Sequence, residues 1–150
     1  MSINSLYETD FYAWIQQQIE LLQAEKWQEL DRTNLIEEIE SLGRKERQEL
    51  RNRLGILLAH LLKWQFQPTN RSNSWLSTIR EQRLQINLLL SDSPSLKSYL
   101  SEALAIADEL ALTLALQETQ LGEEIFPETC PYTLEQILDS QFLPNGADYV

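Results

Sequence analysis

Apolar residues recur at helical spacing almost from the start of the chain. Phe11, Trp14, Ile15, Ile19 and Leu22 share one face, behind Thr9 and Asp10, two side chains suited to capping. This predicts an amphipathic first helix. Asn34 then stands three positions before Glu37, the spacing of a capping box, ahead of Leu35, Ile36, Ile39 and Leu42. A second helix is therefore expected to open at Asn34. Gly43 is a candidate end for it, yet the stripe resumes with Leu50, Leu54, Leu57, Leu58, Leu61 and Trp64, so two helices and one kinked helix over 34–66 both fit. From Leu54 to Phe66 the pattern is apolar nearly all round, which marks the most buried helix of a bundle, and Pro68 stops it.

After a polar connection from Thr69 to Ser74, Trp75, Ile79, Ile86 and Leu89 form another stripe. Ser93 followed by Pro94 is the N-cap and first-turn pairing of a long helix through Leu96, Leu100, Ala103, Ala107, Leu110 and Leu114, with Gly122 expected to close it. Pro127, Pro131 and Pro144 punctuate the remainder, which reads as an irregular arm holding one short helix from about Thr133, where Thr133 and Gln136 can form a capping box. No alternating run of strand length occurs. The expected fold is all-α: a single-domain helical bundle of five or six helices over residues 1–150, with no internal repeat and no domain linker.

Composition narrows the chemistry. At 150 residues and 17.5 kDa, with 43% hydrophobic residues and four Trp, a folded chain buries about two thirds of its surface. Disordered, collagen-like and low-complexity classes are excluded. The one Cys, Cys130, has no partner for an internal disulfide, and the one His, His60, cannot build the histidine clusters of zinc enzymes. No metal and no cofactor are expected. The segment MSINSLYETD has neither a basic start nor an apolar core, and no apolar run approaches 18 residues, so the reading is a soluble, cytoplasmic protein with no membrane partner.

The net charge of −11 hides a block pattern: residues 1–42 carry two basic and nine acidic groups, 43–90 nine basic and three acidic, and 91–150 one basic and eleven acidic. Helices of opposite sign neutralising one another is the first expectation, which leaves nucleic acid an improbable partner. The alternative is a basic patch of Arg44, Lys45, Arg47 and Arg51, with Trp64 and Trp75 available for stacking.

Several strings stand in a recognisable order: YETDFYAW (7–14), LIEEIESLGRKER (35–47), LAHLLKWQFQP (58–68), SW with TIREQR (74–83), SPSL (93–96) and FPETCPYTLEQIL (126–138). Together they resemble the bacterial domain of unknown function 29 family, from about Tyr7 to Pro144. The resemblance implies an almost entirely helical protein and carries no activity with it. Its strings single out Glu37, Glu38, Glu40, His60, Lys63, Arg80, Glu81, Gln82 and Arg83.

At 100° per residue, several polar groups fall on or beside apolar stripes. Gln18 lies between Trp14 and Leu22, Glu38 beside Leu35 and Ile39, and Gln82 between Ile79 and Ile86 with Arg83 at its edge. Arg53 and His60 flank the central leucine stripe, with Glu49 in reach of Arg53 at i, i+4. A buried polar group without a partner costs about 1–3 kcal/mol, so Gln18, Glu38, Arg53, His60, Gln82 and Arg83 are expected to satisfy one another as an internal network. The catalytic alternative is a ribonuclease of the HEPN type, with His60 as acid or base, Arg53 holding phosphate and Glu38 nearby. A bundle di-metal site is excluded because Leu57 stands where a Glu-x-x-His pair needs its carboxylate.

There is no Gly-rich phosphate loop, nucleophile elbow or thiol pair, and Cys130 reads as a small packed hydrophobe. Tyr7, Phe11, Tyr12 and Trp14 crowd the N-terminus, either as packed rings or as a contact patch. The function expected by elimination is that of a protein-interaction module, non-catalytic, whose partner is another protein or a second copy of the chain.

Overall fold

The structure, a computed structural model, describes residues 5–145; the first four residues of the segment MSINSLYETD lie outside them. Six α-helices occur among the described residues: α1 (Ser5–Thr9), α2 (Phe11–Gln23), α3 (Arg32–Phe66), α4 (Asn73–Asp92), α5 (Leu100–Thr119) and α6 (Leu134–Leu138). Short 3₁₀ turns link them, and no strand is present among these residues. The all-α expectation holds. The chain divides into two compact units, 1–45 and 46–150.

In the first unit α2 begins as its sequence predicts, with the Asp10 side chain accepting from the Ala13 amide. The start of α3 differs from expectation. Asp31, not Asn34, caps it: Asp31 carbonyl accepts from the Leu35 amide at 2.9 Å, and its carboxylate accepts from the Asn34 amide and, at 2.8 Å, from the Asn34 side chain. Asp31 wins because its carboxylate also accepts from the Trp14 indole Nε1 at 3.0 Å, while its backbone N–H donates to Gln18 Oε1 at 2.9 Å. One buried acidic residue thus satisfies a cap and an indole together.

Gly43 does not end a helix, since α3 runs unbroken through it to Phe66. In the second unit the C-terminal part of α3 is the core element, with Leu50, Leu54, Leu57, Leu58 and Leu61 at most 1% exposed. Against them lie Ile79 and Ile86 of α4 and a stripe of Ala103, Ala107, Ala111 and Ala115 on α5, each alanine fully buried. Four alanines at i, i+4 bring α5 close, and Gly55 is the matching concession on α3: a Cβ there would sit 3.1 Å from Leu110 Cβ.

Ser93 and Pro94 open a six-residue 3₁₀ turn, Pro94–Tyr99, rather than α5 itself, and Ser93 makes no side-chain cap bond. Helix α5 ends at Thr119 instead of Gly122. Gln120 takes the left-handed conformation (φ 62°), and the Thr119 hydroxyl donates to the Ala115 carbonyl while accepting from the Leu121 amide. The Thr133–Gln136 capping box forms as predicted. The C-terminal arm is held by Phe126, Tyr132 and Ile137, all buried, with Phe126 edge-on to Phe66. The Tyr132 hydroxyl donates to Gln65 Oε1 at 2.7 Å, and burial, with Cys130 adding to it, pushes the pKa of this phenol up.

Candidate functional site

The first unit uses only part of its apolar surface. Trp14 and Gln18 of α2 are buried on the Asp31 side. Tyr7, Phe11 and Trp14 pack on one another, Phe11 stacked on Trp14 at 5.5 Å and Tyr7 edge-on to Trp14 at 4.7 Å, while Tyr12 is 72% exposed. On α3, Ile36, Ile39 and Leu42 are 54–65% exposed. With Leu35 and Gly43 they span an arc of about 120° on one side of the helix. Gly43 belongs to this arc, and a Cβ built on it meets nothing within 4 Å.

Both features cost stability that no contact among the described residues of the unit recovers. Fully burying an Ile or Leu stabilises by about 1.5–3 kcal/mol, and a glycine inside a helix costs about 1 kcal/mol relative to alanine. Gly55 has a packing reason for lacking a side chain, whereas Gly43 has none among the described residues. A contiguous apolar arc of this kind is the signature of a contact surface.

The residues of the basic patch fall in both units. Arg44 is exposed and paired to Glu37 at 2.8 Å, and Lys45 is exposed beside it. In the second unit Arg47 and Arg51 are gathered by Tyr99, the Arg47 guanidinium 4.7 Å from the ring centroid and Arg51 donating to the hydroxyl at 2.9 Å. Of the two tryptophans, Trp64 carries the Arg71 guanidinium at 4.8 Å and Trp75 carries Lys63 Nζ at 4.8 Å. Lys63, 4% exposed, also pairs with Glu118. This buried lysine and the Tyr99 arginine clasp escape sequence reasoning because their partners lie 55 and 48 residues away.

The six polar residues divide between the two units, Gln18 and Glu38 in the first and Arg53, His60, Gln82 and Arg83 in the second. Arg53 donates from Nε to Glu49 at 2.9 Å and from Nη1 to Gln82 Oε1 at 3.2 Å, so these two of the six are joined. Gln18 serves Asp31, and Glu38 accepts from the Tyr7 hydroxyl, which lifts that phenol's pKa to about 12. His60 Nδ1 lies 2.9 Å from the Ile56 carbonyl. Desolvation is the main cause lowering the His60 pKa, reinforced by Lys63 and opposed by that carbonyl and Glu118. Arg83, 4% exposed, donates to the Ile137 and Gln136 carbonyls at 2.8 and 3.3 Å and so ties α6 to α4.

Burial is the main cause raising the pKa of the Cys130 thiol, with Asp108 adding to it; the thiol donates to the Tyr132 carbonyl, and an unactivated thiol is a poor nucleophile. Among the described residues no group of three His, Cys, Asp or Glu side chains is placed to hold a metal ion. A cavity of about 590 Å³ opens between α4 and the arm, lined by Ile79, Arg80, Arg83, Leu84, Gln141 and Leu143. Its buried guanidinium is already bound to backbone carbonyls.

No helix among the described residues is long and apolar enough to cross a membrane. No curated protein and no solved structure shows significant similarity to the chain. The order of strings from YETDFYAW to FPETCPYTLEQIL finds its counterpart in one family model, which matches residues 6–143, and the chain belongs to that family, the domain of unknown function DUF29.

Proposed function

We propose that the protein is a non-catalytic interaction module of the cytoplasm, and that the exposed apolar arc of α3 is the surface it presents. The observation that carries this reading is Gly43 standing among Ile36, Ile39 and Leu42, with open space where its side chain would be. A helix that keeps three large apolar residues exposed around a glycine is built for close approach by another element. The lone, protonated Cys130 suits a reducing compartment. Commitment of Arg53 to Glu49 and Gln82, and of His60 to its own helix, supports a structural role for both against the ribonuclease alternative.

Chemical cross-linking in extract, followed by affinity capture of the wild-type chain and of an Ile39→Glu/Leu42→Glu variant, tests the proposal. Cross-linked products specific to the wild type are expected, with both proteins equally helical by circular dichroism. Identical products from the two refute the surface. RNA cleavage by the wild type that vanishes in an equally stable His60→Gln variant refutes the non-catalytic reading.

A further inference from the structure

Arg80 and Arg83 stand one turn apart on α4, where i, i+3 neighbours share a face. The helix gives neither of them a carboxylate. Besides the arginines themselves, the positions three and four residues away hold Leu76, Ser77, Ile79, Leu84, Ile86 and Asn87. Like charges one turn apart repel, so the pair is unfavourable unless an anion lies between them. The rest of the fold does not supply one. Arg80 makes no hydrogen bond or ion pair among the described residues. Arg83 donates through Nε and Nη2 to backbone carbonyls, which satisfy N–H groups but carry no net charge. Asp139 acts on Arg83 without forming an ion pair with it. A guanidinium only 4% exposed is thus held without a bonded counter-ion, an arrangement that is costly for a buried charge.

Both arginines border the 590 Å³ cavity between α4 and the C-terminal arm, whose size falls within the range of about 300–1,000 Å³ common for small-molecule sites. Arg83 Nη1 makes no hydrogen bond and remains open to solvent, because Trp64 Nε1 alone is both buried and unbonded among the described side-chain nitrogens and oxygens. The chain carries 23 acidic residues against 12 basic ones, yet no acidic side chain among the described residues lines this cavity. Its walls are otherwise largely aliphatic. We propose that the cavity binds a small organic carboxylate, with the carboxyl group between Arg80 and Arg83 and a hydrocarbon body against Leu76, Leu84 and Leu143. The planar guanidinium fork matches a carboxylate, and charge-assisted bonds of this kind are strongest where water is partly excluded. A phosphate ester would set a second charge and a polar body against aliphatic walls, which disfavours it.

Isothermal titration calorimetry on the full chain tests this, with octanoate and 3-phenylpropionate as probes and 1-octanol and inorganic phosphate as controls. At least one carboxylate is expected to bind one per chain with a submillimolar Kd. Octanol, which keeps the hydrocarbon and lacks the charge, should bind at least about tenfold more weakly, and phosphate should give no saturable heat. Arg80→Met removes the charge and keeps an apolar stem, so it should weaken carboxylate binding by about tenfold. Leu84→Gln, on the apolar wall, should weaken it severalfold, and Glu81→Gln, an exposed neighbour outside the cavity, should leave it unchanged. Far-UV circular dichroism checks that each variant is folded, and the octanoate–octanol difference on the wild type reads the charge independently of any variant. No saturable binding of either carboxylate up to about 10 mM overturns the inference. So does octanol or phosphate binding as tightly as octanoate, or a carboxylate affinity indifferent to Arg80→Met or to Leu84→Gln.

Discussion

The two helical glycines offer a contrast that isolates packing from backbone propensity. Replacing either by alanine removes the conformational freedom glycine contributes to the unfolded chain and gains about 1 kcal/mol of helix stability. At Gly43 the added Cβ meets nothing within 4 Å, so that gain is realised in full: Gly43→Ala should stabilise by up to ~1 kcal/mol, a Tm rise of about 2–4 °C for a chain of this size. At Gly55 the same methyl lies 3.1 Å from Leu110 Cβ and 3.7 Å from the Ala107 carbonyl oxygen. Both belong to the backbone frame of α5, so relief requires moving a helix whose buried alanines leave no slack. Overpacking of this kind costs about 1–3 kcal/mol, which cancels or outweighs the propensity gain and leaves Gly55→Ala between neutral and ~2 kcal/mol destabilised. Urea unfolding followed by far-UV circular dichroism at low micromolar concentration measures both. A Gly55→Ala variant stabilised as much as Gly43→Ala would refute the close α3–α5 approach, and a destabilised Gly43→Ala at that concentration would refute the open site.

Burial lowers the His60 pKa relative to the unfolded chain, so its contribution to stability is complete above about pH 6.5 and is lost as pH falls from there toward the folded-state pKa. Urea midpoints at pH 7.5 and 5.5 should show that loss in the wild type and less of it in His60→Gln; equal losses contradict a buried neutral imidazole. Asp31→Ala removes the α3 cap and orphans the buried Trp14 indole, an expected cost of about 2–4 kcal/mol, whereas the exposed Asp10 cap should cost at most about 1 kcal/mol on the same change; equal costs would contradict the shared role of Asp31. Arg83→Met leaves the Ile137 and Gln136 carbonyls without their donor, which should lower stability by about 2–3 kcal/mol and speed limited proteolysis of the arm, and an unchanged cleavage pattern counts against the clamp. Elemental analysis of purified protein should find no stoichiometric zinc, iron or manganese.

Periodicity made the helices legible because it needs only near neighbours. The leucine stripe of α3, the buried alanines of α5 and the Thr133–Gln136 box all follow from spacings of three or four residues. What local spacing misjudges is a choice between two equally good local options settled from far away. Asn34 and Asp31 are both able caps, and the decision falls to Asp31 through the Trp14 indole 17 residues earlier. Gly122 and Gln120 compete to end α5, and the Thr119 hydroxyl, bonded on both sides of the turn, favours the earlier stop. Gln18, Gln82 and Arg83, which spacing sets on or beside apolar stripes, are buried. Local spacing does not say which partner each takes, because a side chain entering an interior meets whichever carbonyl or carboxylate the fold brings there.

The apolar arc shows the same limit from the other side. Ile36, Ile39 and Leu42 have the spacing of a core stripe, yet they are exposed, while Leu50, Leu54 and Leu57 further along the same helix are wholly buried. Spacing identifies which residues share a face and is silent about what covers it. The flanking residues discriminate the two stretches. Past Leu54 the apolar character extends nearly round the helix, as burial on several sides requires. Between Ile36 and Lys45 both flanks are charged, which water tolerates on a free surface and which a partner must answer with opposite charge. Within the chain Glu38 is answered by the Tyr7 hydroxyl and Arg44 by Glu37, so what this stretch of the helix leaves without a partner is its apolar arc.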